Sequence, residues 1–387
     1  MKIFAKLVAL VSLVVITSIF VGCSSEPGKG EETDFQQYER RIHAWMINGA
    51  NVPLLLKTLR ESDVGPDQPD EWAEAHIHAA DILNHYAAFA KHNGADWLAR
   101  DLYQSAAAHY SIARFPYAFT ELQWQAYAQH KKDYVAAAEL SDRPISVVKI
   151  TFKNQEVPAY LRLKAGDKGL VVIAGGIDSW KSDLSVVEKS FHNAGLATLA
   201  VDIPGTGDNK LPMDVDSMAF FDAVLAKGLS LSEPLSSSCI AFYGQSVGGS
   251  FALEAAFNRP QVCASVAVSA PVSVVFENIK HAPDFVRMIL ERMVQKQGED
   301  MYTVIESLSL TKKGVLNPDN QTAKILHING DSSDEVPLVE MDILDKVGVK
   351  QERWVFEGDG QTAWRNREAY LPRVATWVAQ IFGEHKK

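Results

Sequence analysis

The sequence predicts an α/β protein, with a mostly parallel, doubly wound sheet behind a helical front region. Three observations predict it. From residue 169 onward, short apolar runs alternate with stretches of helical spacing, and repeated strand–helix units build a parallel sheet with helices on both faces. Residues 34–140 contain no convincing strand. Finally, Gly244-Gln245-Ser246-Val247-Gly248 fits Gly-x-Ser-x-Gly between an apolar run and a helical stretch. Strand, sharp turn and helix are the context in which that pattern lifts a serine hydroxyl to the carboxyl edge of a sheet. An ordinary strand-to-helix turn is the alternative reading.

The chain starts with Lys2 and Lys6, an apolar run over 7–21 and then Gly22-Cys23-Ser24-Ser25. The run is short for a membrane span and reads as a signal peptide, 1–22. A Cys straight after Val-Gly resembles a bacterial lipobox, although Phe20 is not the usual residue at its position. The implied product carries lipid on Cys23, and with Ser24 and Ser25 following, an outer-membrane address facing the periplasm is expected. The membrane is then reached through acyl chains rather than a span. Residues 23–34 read as a tether. Removing 1–22 leaves 36 basic against 48 acidic residues, a net charge of −12, which disfavours nucleic acid as a partner.

The front region, 35–142, is expected to pack as a bundle of four or so helices. Tyr38, Ile42, Trp45 and Met46 recur at helical spacing, as do Trp72, Ala75, His76, Ala79 and Ile82, with breaks at Gly65-Pro66, Gly94 and Phe115-Pro116. His76, His78, His85, His92, His109 and His130 lie here. No cysteine or carboxylate set completes a metal site among them, so core or interface positions are expected, and no metal or cofactor.

In the second domain, 143–387, strands are expected at 147–152 and 157–163 around Lys153-Asn154-Gln155-Glu156, as an antiparallel hairpin. Further strands are expected at 169–173, 197–201, 240–243, 265–268, 324–328 and 352–356, with helices at 181–194, 217–227, 247–257, 337–347 and 364–382. The stretch from about 271 to 320 interrupts the rhythm and reads as a helical lid, with Phe285, Met288, Ile289, Arg292 and Met293 on one face. Cys239 and Cys263 open neighbouring parallel strands. They either bridge in an oxidising compartment or remain two buried thiols.

Several segments together resemble the α/β-hydrolase superfamily and, within it, the FrsA-like esterase family, which shares its architecture with 2,6-dihydroxypseudooxynicotine hydrolase. They are His109-Tyr-Ser-Ile-Ala-Arg-Phe-Pro-Tyr117, Gly175-Gly-Ile-Asp-Ser179 with Lys181, Asp202-Ile-Pro-Gly-Thr-Gly207 and the Ser246 turn. The resemblance spans roughly residues 35–382 and implies Ser246 as nucleophile. Oxyanion donors would be the Val247 amide and that of Gly176 or Ile177. The lid and helical front would close an aromatic-lined pocket suited to a small-molecule substrate or ligand, and the helical front implies a possible homodimer.

Serine hydrolysis also needs a base and a group to orient it. The acid is expected just after 324–328, where the family spacing falls on Ser333; Asp334 is the favoured candidate and Asp331 the second. The base is expected after 352–356, and the residue in that place is Gln361. A carboxamide has no usable basic lone pair at neutral pH. Of the other imidazoles considered, His281 lies in the lid, His192 late in a helix and His327 within a strand. The sequence therefore predicts a serine hydrolase or C–C hydrolase with a non-standard base. The alternatives are a catalytically impaired pseudo-hydrolase that binds a ligand or partner, and a pocket reused for non-hydrolytic chemistry.

Overall fold

The computed structural model describes residues 34–62 and 64–386. The proposed signal peptide, Cys23 and all but the last residue of the tether lie outside the described residues. Residues 40–387 form one compact unit. Among the described residues no helix is long and apolar enough to cross a membrane.

Five helices come first: α1 (Asp34–Ile47), α2 (Val52–Glu61), α3 (Pro69–His92), α4 (Asp96–Ala113) and α5 (Glu121–Glu139). The breaks at Gly65-Pro66, Gly94 and Phe115-Pro116 appear as expected. One more separates α1 from α2, where Gly49 takes φ +111 and the Asn51 side chain accepts from Leu54 N to start α2. Gly49 supplies a backbone conformation that side chains resist. The histidines divide. His76, His109 and His130 are buried, with His76 against Trp72, whereas His78, His85 and His92 are exposed. His78 lies two residues past His76, on the opposite face of α3, and His85 and His92 follow it at seven-residue intervals along that outward face.

The sheet has eight strands: β1 (Ser146–Phe152), β2 (Gln155–Arg162), β3 (Leu170–Ala174), β4 (Ala197–Val201), β5 (Ile240–Gln245), β6 (Val262–Val268), β7 (Lys324–Gly330) and β8 (Gln351–Phe356). Their order is β1-β2-β4-β3-β5-β6-β7-β8. The β1–β2 and β2–β4 pairs are antiparallel and the rest parallel. The opening hairpin is tighter than expected. Phe152 pairs with Gln155, leaving Lys153 and Asn154 as the turn, both at positive φ, the requirement of a two-residue primed turn. Every residue of β3, β4, β5 and β6 is buried, as expected of parallel strands covered on both faces.

One face carries α7 (Ser217–Leu231) and α8 (Val247–Ala255), and the other carries α6 (Ser185–Asn193) and α13 (Arg367–Glu384). The expected helix at 181–194 begins instead as a 3-10 turn, Lys181–Asp183, because the Asp183 carboxylate folds back to accept from Trp180 N at 2.7 Å. Cys239 and Cys263 are joined by a disulfide across the starts of β5 and β6, and closing such a loop stabilises a fold by about 3 kcal/mol.

The insertion after β6 is helical, with α9 (Val274–Glu277), α10 (Asp284–Val294) and α11 (Gly298–Ser307); α12 (Val339–Lys346) follows β7. The predicted apolar face of α10 is divided. Ile289 and Met293 are fully buried, while Phe285 and Met288 are 47% and 53% exposed. The buried side docks where Gly205, at φ +80, lets the backbone run against Met293, and Met293 O accepts from Met213 N.

Burial holds four histidines neutral. The pKa of His76 is lowered to about 3, and those of His109, His130 and His327 to about 4, in each case chiefly by desolvation. The unfolded chain takes up these protons near pH 6.5 and the native fold does not. Their contribution to stability is therefore fully present above pH 6.5 and is lost as pH falls toward 4, at up to ~1.4 kcal/mol per pH unit for each histidine. Denaturant titrations from pH 7 to pH 4.5 are expected to show a steep fall; a flat profile over that range contradicts it.

Candidate functional site

The site is built around the bend between β5 and α8. Ser246 occupies it at φ 53 and ψ −128, a combination that costs an L-residue about 1–3 kcal/mol and persists only where its surroundings enforce it. Those surroundings are glycines. A Cβ on Gly244 would lie 2.0 Å from Gly248 O, and one on Gly248 would lie 2.2 Å from Gly175 O. Ser246 N donates to Val268 O at 2.8 Å, tying the bend to the end of β6. Val247 is the first residue of α8, so its N–H has no acceptor within the helix.

The loop after β3 runs directly over the serine. A Cβ on Gly176 would sit 3.0 Å from Ser246 Cβ and 3.4 Å from Oγ. The structure thus brings Ser246, Val247 and Gly176 together, with Ile177 next in the chain. Side chains from the front helices, which sequence reasoning missed, hold this loop in place. Arg41 of α1 binds the Asp178 carboxylate at 2.6 Å. Arg114, at the end of α4, donates to Asp178 O and to Asp183, and its guanidinium lies 3.9 Å over the Trp180 ring. Ser111 donates to the other oxygen of Asp183 at 2.5 Å. Despite burial, Arg114 keeps the Asp183 pKa below the ordinary carboxylate range.

Below this clamp a second buried network crosses from α5 to the loop after β4. The Lys181 ammonium bonds Asp202 and Asp208, each at 2.6 Å, and the Tyr127 hydroxyl at 3.2 Å, while Lys131 takes the other oxygen of Asp208. The sequence singled out Lys181 and the Asp202–Gly207 stretch; here they pin the loops on either side of the oxyanion segment.

The loops after β7 and β8 are arranged differently from the expectation. Asp334 is exposed and has no hydrogen-bond or ion-pair partner among the described residues. Ser333 takes the inward place and accepts from Val336 N at 3.2 Å. Asp331 is also exposed, and its Oδ1 accepts from Gly358 N at 2.7 Å, bridging the two loops. Beneath them, Ser269 donates to Asn329 Oδ1 at 2.5 Å and accepts from Thr362 N at 2.6 Å, while Asn329 Nδ2 donates to Val336 O. One buried serine and one buried asparagine therefore join the loops after β6, β7 and β8.

Gln361 opens a 3-10 turn, Gln361–Asn366, rather than preceding a straight helix from 364. Thr362 and Ala363 both adopt positive φ, and Asp359 accepts from Asn366 N and Nδ2 to cap α13. The Gln361 carboxamide does not hydrogen-bond Ser246. Its Oε1 accepts from Arg40 Nη1 at 2.7 Å, and Arg40 also binds Glu335 at 2.6 Å. Of the imidazoles weighed from sequence, His281 is exposed, His192 bonds Thr198 near the start of β4, and His327 faces Gln351. The imidazole packed on the loop after β8 is one the sequence gave no signal for. His43 of α1 meets Trp364 edge-on, with centroids 5.4 Å apart. Its Nδ1 is buried without a partner, and desolvation lowers its pKa.

No family model matches the chain. Among solved structures, that of 2,6-dihydroxy-pseudo-oxynicotine hydrolase aligns with a TM-score of 0.77 at 20% identity, covering 89% of this chain and 97% of that one. The chain has the α/β-hydrolase fold. AbyA5 wild type aligns with a TM-score of 0.70 at 19% identity, over 91% of this chain and 95% of its own. In sequence, 2,6-dihydropseudooxynicotine hydrolase of Paenarthrobacter nicotinovorans is 24% identical over 356 residues, 86% of this chain and 92% of the relative. The extent of that match marks the two as homologues.

Proposed function

We propose that the chain is a serine-hydrolase-type enzyme that cleaves a small ester, or a carbon–carbon bond next to a ketone. Its hydrolase homologue supports the class. The observation that carries the reading is the strained Ser246 with Gly176 against its hydroxyl, a geometry useful chiefly for attack on a carbonyl. Ser246 Oγ adds to the carbonyl carbon while its proton passes to a base, and the carbonyl oxygen becomes an anion facing the Val247 amide and that of Gly176 or Ile177. Collapse expels the leaving group with that proton and leaves an acyl-serine, which water then hydrolyses.

The base we propose is His43, because it packs on Trp364 in the loop after β8 where a base is expected and its Nδ1 is buried without a partner; its burial-lowered pKa suits a proton acceptor at neutral pH. A second reading is favoured by Arg40, whose hold on Gln361 leaves the usual place of the base to a group that cannot take a proton. In that reading the chain is a pseudo-hydrolase that binds a small ligand without turning it over. Its place with the FrsA-like esterases is likewise proposed, on the Gly175–Ser179 motif and Lys181.

Turnover of short-chain aryl esters separates the readings. Wild type is expected to hydrolyse them, Ser246→Ala to lose that activity, and His43→Ala to lower kcat by roughly 10²–10⁴-fold. The acid limb of the wild-type kcat/KM profile should lie below pH 6.5, because burial lowers the His43 pKa. Unchanged turnover in His43→Ala removes His43 from the mechanism, and an inert wild type selects the pseudo-hydrolase.

We also propose that the chain is anchored through lipid on Cys23 at the outer membrane, facing the periplasm. The Cys239–Cys263 disulfide supports an oxidising compartment. Labelled palmitate is expected to enter the wild-type protein and not Cys23→Ser; equal labelling of the two contradicts the assignment.

A further inference from the structure

Behind the bend at Ser246, a cavity of about 50 Å3 lies between α1, α4, α5 and the loop after β3. One water needs roughly 10–15 Å3 measured in this way. Its walls include Arg41, Arg114, Arg367, Asp178 and Asp183, with His130 and Gln245 among the others. Two features set it apart from an ordinary hydrated gap.

The first is a surplus of unsatisfied polar atoms. Arg114 Nε, Arg367 Nε, Ser182 Oγ and His130 Nδ1 are all buried without a hydrogen-bond partner, and all four residues line this cavity. Buried polar groups are normally satisfied, so four orphans around one small space point to something held there. Three of the four donate, since His130 uses Nε2 toward Ser182 O and offers Nδ1 as acceptor.

The second is charge. Arg41 pairs with Asp178 and Arg114 with Asp183. His130, with its pKa lowered to about 4, is neutral at pH 7. That leaves Arg367, which donates from Nη2 to Gln245 Oε1 at 2.8 Å. Arg367 is 5% exposed, yet among the described residues no carboxylate lies within ion-pair distance of it. The nearby Asp359 is committed to Gly360 N, Asn366 and Arg365. The cavity walls therefore carry one net positive charge, and a buried guanidinium without a counter-charge is costly.

We infer that this cavity binds one small monovalent anion of the halide class, on Arg367 and Arg114 with the Ser182 hydroxyl, beside a water that donates to His130. The volume admits an ion of that size together with its water. The site is separate from the oxyanion donors, and it braces Gln245, the residue before the nucleophile. The inference does not depend on hydrolysis, and its test does not read activity.

Thermal unfolding of the full chain is followed at constant ionic strength while chloride or bromide replaces gluconate, a bulkier anion of the same charge. Wild type is expected to gain about 2 °C once halide exceeds its dissociation constant tenfold, and to rise further with the logarithm of halide concentration, and Arg367→Gln to show no such gain. Crystals of wild type grown in bromide are expected to show an anomalous peak within hydrogen-bond distance of Arg367 Nε and Arg114 Nε, an outcome that stands whether or not the variant folds. Identical responses in wild type and Arg367→Gln, or water alone in the bromide crystals, overturn the inference.

Discussion

The backbone of Ser246 is the constraint on which the rest depends. A serine at φ 53 and ψ −128 is unfavourable in isolation, and the fold makes it unavoidable. β5 must end where α8 begins, Gly244 and Gly248 allow backbone atoms to meet, and the loop after β3 lies across the bend at Gly176. A Cβ at Gly244 or Gly248 would force backbone atoms apart, and one at Gly176 would crowd the Ser246 side chain. The same closeness that strains the serine sets its hydroxyl beside Gly176, so one geometric fact underlies both the bend and the chemistry proposed for it.

That geometry is held from outside the sheet. The loop after β3 is short and opens on two glycines, so it gains order from its neighbours. Arg41 and Arg114 supply it by gripping Asp178 and Asp183, and Lys181 with Asp202 and Asp208 fixes the flank. Buried ion pairs give little net stability, because desolvation offsets much of their attraction. They do specify one arrangement, since any slip leaves a charge unpaired. The front helices thus act as the outer wall of the site, and α1 reaches three of its loops: Arg41 the loop after β3, Arg40 the loops after β7 and β8, and His43 the turn at Trp364.

Much of this was legible in the sequence, because it is local. Apolar runs marked β3 to β8 within a few residues, and the Gly-x-Ser-x-Gly motif identified the bend before any coordinates. The errors have physical causes. Positive φ at Thr362 and Ala363 breaks the expected helix at 364 into a 3-10 turn, and neither residue type announces it. The outward His78, His85 and His92 differ from buried His76 only in which face of α3 they occupy. His43 and Arg40 meet the loop after β8 across about 320 residues of chain, and no spacing rule reaches that far. Whether Cys239 and Cys263 bridge was equally undecided until their strands were seen side by side.

The central claim is that Ser246 is poised for attack. Labelling with a fluorophosphonate, followed by peptide mapping, tests it most directly, because phosphonylation needs only an activated hydroxyl and oxyanion donors, not the natural substrate. The account predicts a single adduct on Ser246 in the folded chain, absent from Ser246→Ala and from heat-unfolded protein. A folded wild-type chain that stays unlabelled, or an adduct on another residue, would contradict it.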